Sequence, residues 1–202
     1  MTSLNIGVDS WIIQDGNYAD FFVGQQASFA LEFHPQSLKP SHSQSVAFSN
    51  VRGSRYRIHA QVVFCQVGVW VLNMGFLAYH QSEPPDYVSQ GAWVEGEIYL
   101  GIDPFMYFED LKNLSGIPAL PYSFSVEKIF LETTPWLKKV EESGGEIRWR
   151  DEQNESYRQI EKMDAWNDDH RHASYVLECS EIEGRIEQAL GTESPSAGFL
   201  GE

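Results

Sequence analysis

Two stretches of this chain alternate apolar and polar residues one for one. In Arg55–Val62, Tyr56, Ile58, Ala60 and Val62 point one way, and Arg55, Arg57, His59 and Gln61 the other. In Trp93–Leu100, Val94, Gly96, Ile98 and Leu100 share one face, and Trp93, Glu95, Glu97 and Tyr99 the other. A period of two belongs to half-buried β-strands; a helix would repeat its apolar residues every third or fourth position. Between these stretches Val67–Tyr79 is apolar on both faces, the composition of one or two central buried strands. Phe29, Leu31 and Phe33 alternate with Ala30, Glu32 and His34 until Pro35 ends the strand. Trp11–Ile13 predicts a short strand followed by the hairpin-turn pair Asp15-Gly16, with Phe21–Val23 pairing back. The expected fold is mainly β, an antiparallel barrel or sandwich with one or two short helices.

Residues 35–45, with Pro35, Pro40 and several serines, read as a loop. The strongest helix signal begins at Asp103, a good N-cap, and Pro104, a good first helical residue. Phe105, Phe108 and Leu111 follow at helical spacing, and Ser115-Gly116 can stop the helix. Thr134-Pro135 predicts a second short helix through Val140. Tyr122–Leu131 has strand character. Tyr157–Trp166 and Tyr175–Cys179 predict a hairpin around Asn167-Asp168-Asp169, although Tyr157, Ile160 and Met163 also fit a helix. A single β-rich domain is expected over 1–190. Gly, Ser and Pro dominate afterwards, which predicts a disordered tail over 191–202. The order of elements from Arg55 to Leu131 resembles that of an OB-like barrel, where a helix between the third and fourth strands plugs one end.

Charge narrows the range of partners. The formal net charge is −15, with 29 acidic and 14 basic residues. Residues 1–60 are neutral overall, so the acidity belongs to the rest of the chain. A strongly acidic surface argues against a nucleic-acid or anionic-membrane partner, both of which need basic patches. Arg52, Arg55, Arg57 and His59 are the only basic concentration in the first half, and Tyr56 lies on the opposite face from them. A single-strand binding platform wants both on one face. Met1–Asp9 carries neither Lys nor Arg and no long apolar stretch, so no signal peptide is expected. Cys65 and Cys179 have no paired spacing. These features together suggest a cytoplasmic, reduced setting.

Nucleotide, hydrolase and zinc signatures such as GxGxxG, GxxxxGK[ST], GxSxG, HExxH and CxxC are missing, and no cofactor is implied. Asp168, His170 and His172 are the densest cluster of metal-ligand types, because two imidazoles and a carboxylate can hold a transition ion. Asn and Asp also favour solvated turns, which is the competing use of that segment. His34, His42, His59 and His80 are isolated in sequence. Glu95 and Glu97 lie roughly 7 Å apart on one strand face; Arg55 and Arg57 have the same spacing and are their expected cross-strand partners. Trp93 and Tyr99 share that acidic face, the profile of an interface anchor. The function expected from these features is non-enzymatic: docking of a protein partner, plausibly basic, through Trp93, Glu95, Glu97 and Tyr99, as an antidote docks a basic toxin. The alternative is an enzyme or small-molecule binder with its site in a barrel mouth, metal-assisted through Asp168, His170 and His172.

Overall fold

Wherever the alternation is strong, the chain is strand. The computed structural model describes residues 3–140 and 146–182. The first half holds β1 (Ser3–Asp9), α1 (Ser10–Gln14), β2 (Gln26–Phe29), β3 (Leu31–Pro35), β4 (Lys39–Pro40), β5 (Ala47–Arg52), β6 (Arg55–Gln66), β7 (Val69–Asn73), β8 (Leu77–His80) and β9 (Trp93–Ile102). The second half holds α2 (Met106–Glu109), β10 (Tyr122–Glu132), β11 (Trp136–Val140), β12 (Glu146–Arg150), β13 (Tyr157–Ile160) and β14 (Ser174–Glu181). Among the described residues no helix is long and apolar enough to cross a membrane.

Five strands close a barrel in the order β3–β9–β6–β7–β8 and back to β3. All these pairings are antiparallel except β3 with β8, which runs parallel and pairs Glu32 with Tyr79. Closure removes the open edges that the strands would otherwise present. A second sheet leans on this barrel. β10 pairs with β14, and β14 with β1. The other edge of β10 carries β2 over Tyr122–Ser125 and β13 over Ile129–Glu132. The two parts share strands: β2 runs into β3 through Ala30, and β1 meets β9 in a single parallel pair, Gly7 with Gly101. Tight approach there suits glycine, since a Cβ on Gly7 would lie 3.0 Å from Ser54 Oγ.

One continuous core joins barrel and sheet, running from Leu4, Ile6, Phe33 and Trp70 to Phe124, Leu177 and Cys179. A smaller cluster forms on the outer face of β6–β8, where Phe64, Val71 and Tyr79 meet Tyr107, Leu111 and Leu120. β13 and β14 therefore pack on the same body rather than forming a separate lobe.

Several sequence expectations are corrected. Trp11–Ile13 lies in α1, a helical turn and not a strand, with Gly16 at φ +86 turning the chain after it. Residues 136–140 are β11, paired with β12, so the second helix is absent. β13 and β14 do not pair with each other; each pairs with β10. The helix after Asp103 is present in short form, but β10 stays outside the barrel, and β3 closes it instead. The expected tail at 191–202 lies outside the described residues.

Candidate functional site

The parallel contact of β3 with β8 brings together residues far apart in sequence. Glu32 and His34 are two residues apart on β3, and His80 is the last residue of β8. One ligand atom from each lies within 4.8 Å of the others. His34 Nε2 is 3.6 Å from Glu32 Oε2. The rings of His34 and His80 sit 5.8 Å apart, centroid to centroid, and His80 also packs against Phe33 and Trp70. His80 Nδ1 is buried without a hydrogen-bond partner.

A fourth group stands behind these three. Asp103, fully buried, follows the last residue of β9. Its Oδ1 accepts from Tyr79 Oη at 2.5 Å and from the Tyr107 amide at 3.2 Å. Its Oδ2 has no partner. The N-cap of α2 is Phe105, at φ +82, and not Asp103 as the sequence position suggested, and Pro104 lies before the helix.

Burial governs the charges here. It pushes the Glu32 carboxyl up to about 7, with Asp103 adding to the effect. It holds His34 below the usual histidine range against the opposing pull of Asp9. It also drives His80 down to about 4, helped by His34 and opposed by the Phe33 backbone. Burial raises Asp103 too, against the hydrogen bond from Tyr79. Each group is driven toward its uncharged form. Desolvation thus weakens the 3.6 Å approach of His34 to Glu32 as an ion pair, although the His34 side chain is itself 53% exposed.

Glu32 and His34 open into a cleft of about 610 Å³ where barrel and second sheet meet. Gly7, Ser54, Tyr99 and Gly101 line it from the β1–β9 seam, Trp11 and Ile12 from α1, and Glu132, Arg150 and Tyr157 from the second sheet and the β11–β12 hairpin. Arg150 is fixed over the Trp136 ring at 4.0 Å and hydrogen-bonds Asp169 at 2.5 Å and the Thr134 carbonyl at 2.7 Å.

Compared with protein-family models, curated proteins and solved structures, the chain matches none. Function must therefore be argued from the site itself.

The residues singled out by sequence lie elsewhere, with one exception. Tyr99 lines the cleft; Trp93, Glu95 and Glu97 do not. Glu97 takes the Arg57 guanidinium at 2.8 Å and Arg55 at 4.0 Å, half of the expected cross-strand pairing. Glu95 instead receives Ser41 Oγ at 2.8 Å and Lys39 at 3.1 Å, and the Ser41 hydrogen bond, then that from Lys39, holds its carboxyl below the usual range. Trp93 stacks on His59. In the turn before β14, Asp168 accepts from Tyr175 Oη at 2.9 Å, while His170 and His172 are exposed. Among the described residues the one close trio of donors is Glu32, His34 and His80, not Asp168, His170 and His172. Sequence reasoning missed it because β3 and β8 are brought side by side only by barrel closure. Strand alternation, moreover, places His80 on the Phe33 side.

Proposed function

We propose that this chain binds a small molecule in the cleft between its barrel and its second sheet. The observation that carries this is convergence: a cleft of about 610 Å³ has Glu32 and His34 in its wall and His80 and Asp103 behind them. Ligand sites typically occupy about 300–1,000 Å³ and combine apolar walls with a few polar groups. Buried acids pushed up beside bases pushed down are the electrostatic mark of functional sites. A thermal-shift screen of the full chain against a metabolite library tests it. At least one compound should raise the melting temperature of the wild type and fail to do so in Ser54→Trp, which fills the cleft. A library without any stabilising compound, or one whose effect survives Ser54→Trp, overturns the proposal.

Docking of a basic protein, in the manner of an antidote to a basic toxin, is supported by the net charge of −15 and by the half-exposed Trp93. Its weaker side is that Glu95 and Glu97 already face Lys39, Arg55 and Arg57. Pull-down at low salt should then recover a basic protein that is released as salt rises. A partner that stays bound in high salt argues against it.

A further inference from the structure

We propose that Glu32, His34 and His80 hold a divalent first-row transition ion at the wall of the cleft, with its remaining coordination positions open toward it. The orientation of those open positions rests on the cleft being a binding site; the ion itself does not.

Ligand chemistry selects the class. Two imidazoles and one carboxylate suit zinc, ferrous iron and their neighbours, whereas calcium and magnesium prefer all-oxygen shells. The geometry is close to what such an ion needs. Donors about 2.1 Å from a tetrahedral ion stand about 3.4 Å from one another. His34 Nε2 and Glu32 Oε2 are 3.6 Å apart, and the whole trio falls within 4.8 Å. Small side-chain rotations close the difference while the backbone stays fixed by the β3–β8 and β3–β9 ladders.

Two further observations point to the same place. His80 Nδ1 is buried and unpartnered, a state that is costly unless something accepts the lone pair or proton. Asp103 Oδ2 is likewise buried and unpartnered, on a carboxyl that interacts electrostatically with Glu32. A cation beside the trio would relieve both acids. Three protein donors leave at least one position free, the arrangement of catalytic rather than closed structural sites. Glu32 and His34 line the cleft and so direct that position into it.

The experiment is a cobalt(II) titration of the full chain, stripped with chelator, read by visible absorption, with bound metal counted by mass spectrometry. One ion per chain is expected, and millimolar magnesium or calcium should not displace it. His34→Ala and Glu32→Gln should each weaken binding on the order of 100-fold, at least the loss typical when a group that only orients a ligand is removed. A double variant, His170→Ala with His172→Ala, should bind as the wild type does. Because His80 packs against Phe33 and Trp70, its replacement can disturb folding. Copper(II) spin resonance on the wild type therefore provides a second reading, with nitrogen couplings expected from two imidazoles. No stoichiometric ion, binding indifferent to His34→Ala, loss in the His170/His172 variant, or a spectrum without two nitrogens would each overturn the assignment. The metal is used alone, so failure here leaves intact any compound found in the thermal-shift screen, and an empty screen leaves the metal count intact.

Discussion

Replacing Glu32 by Gln should make the metal-free protein more stable at alkaline pH. The folded state holds the Glu32 proton more tightly than the unfolded chain does, with the carboxyl raised from 4.5 to about 7. Stability linked to such a group is full below pH 4.5 and is lost as pH rises through about 7. At about 1.36 kcal/mol per pH unit, the ceiling on that loss is about 3 kcal/mol. The side chain is 13% exposed beside an open cleft, and solvent screening lowers the expectation to about 2 kcal/mol. Gln keeps the shape of the acid and carries no charge to desolvate. The shift on His34 comes from burial against the pull of Asp9, and that on His80 from burial and His34 against the Phe33 backbone, so the substitution leaves them in place. Urea unfolding in chelator should show the two proteins equal at pH 4.5 and the variant ahead by about 2 kcal/mol at pH 8.5, roughly 4–8 °C in melting temperature. A difference independent of pH, or a variant less stable at pH 8.5, would refute the assignment of Glu32 as a desolvated acid.

Other substitutions probe the frame around the site. Phe124 is fully buried and stacks on Phe29 at 4.8 Å, so Phe124→Ala should cost about 3–5 kcal/mol in chemical unfolding. Gly96 sits at φ +146, and a Cβ there would lie 2.1 Å from the Ser37 carbonyl oxygen. Gly96→Ala should therefore lose about 2 kcal/mol or more, a large loss for an added methyl. A double-mutant cycle on Arg57 and Glu97 should return only about 0.2–1 kcal/mol, because Arg57 is 69% exposed. Cys179 is fully buried, and burial raises its thiol, so a thiol reagent should modify it only as fast as the protein unfolds.

Local pattern carried the strands whose two faces differ. The burial of β6 alternates residue by residue through Cys65 as the sequence does, and that of β9 does so except at Gly96, because each has one face on the core. Pattern failed where segments were short. Three apolar residues, Trp11–Ile13, fit a strand or a helical turn equally, and the structure makes them a turn, closed by the Asp15 amide on the Trp11 carbonyl. Thr134-Pro135 looked like a helix start, yet Trp136–Val140 pairs in full register with β12. Glu32, His34 and His80 carried no local signal at all. They meet because two strands 46 residues apart run parallel, and a contact of that kind is set by topology. The density of Asp168–His172 attracted attention for the opposite reason: turns concentrate polar residues whether or not they bind anything.

The pairing of β1 with β14 sets an order of events during synthesis. The barrel strands are all made once residue 102 has left the ribosome, so the β3–β8 contact behind the cleft can form early. β1, with Leu4, Ile6 and Val8 destined for the core, has only a one-residue pairing with β9 until Ser174–Glu181 appears. At about 5–20 residues per second, that is an interval of about 4–16 s in which an apolar N-terminal strand lacks its partner. In that interval it is open to chaperones and to mispairing, and slower translation of the second half would lengthen the exposure.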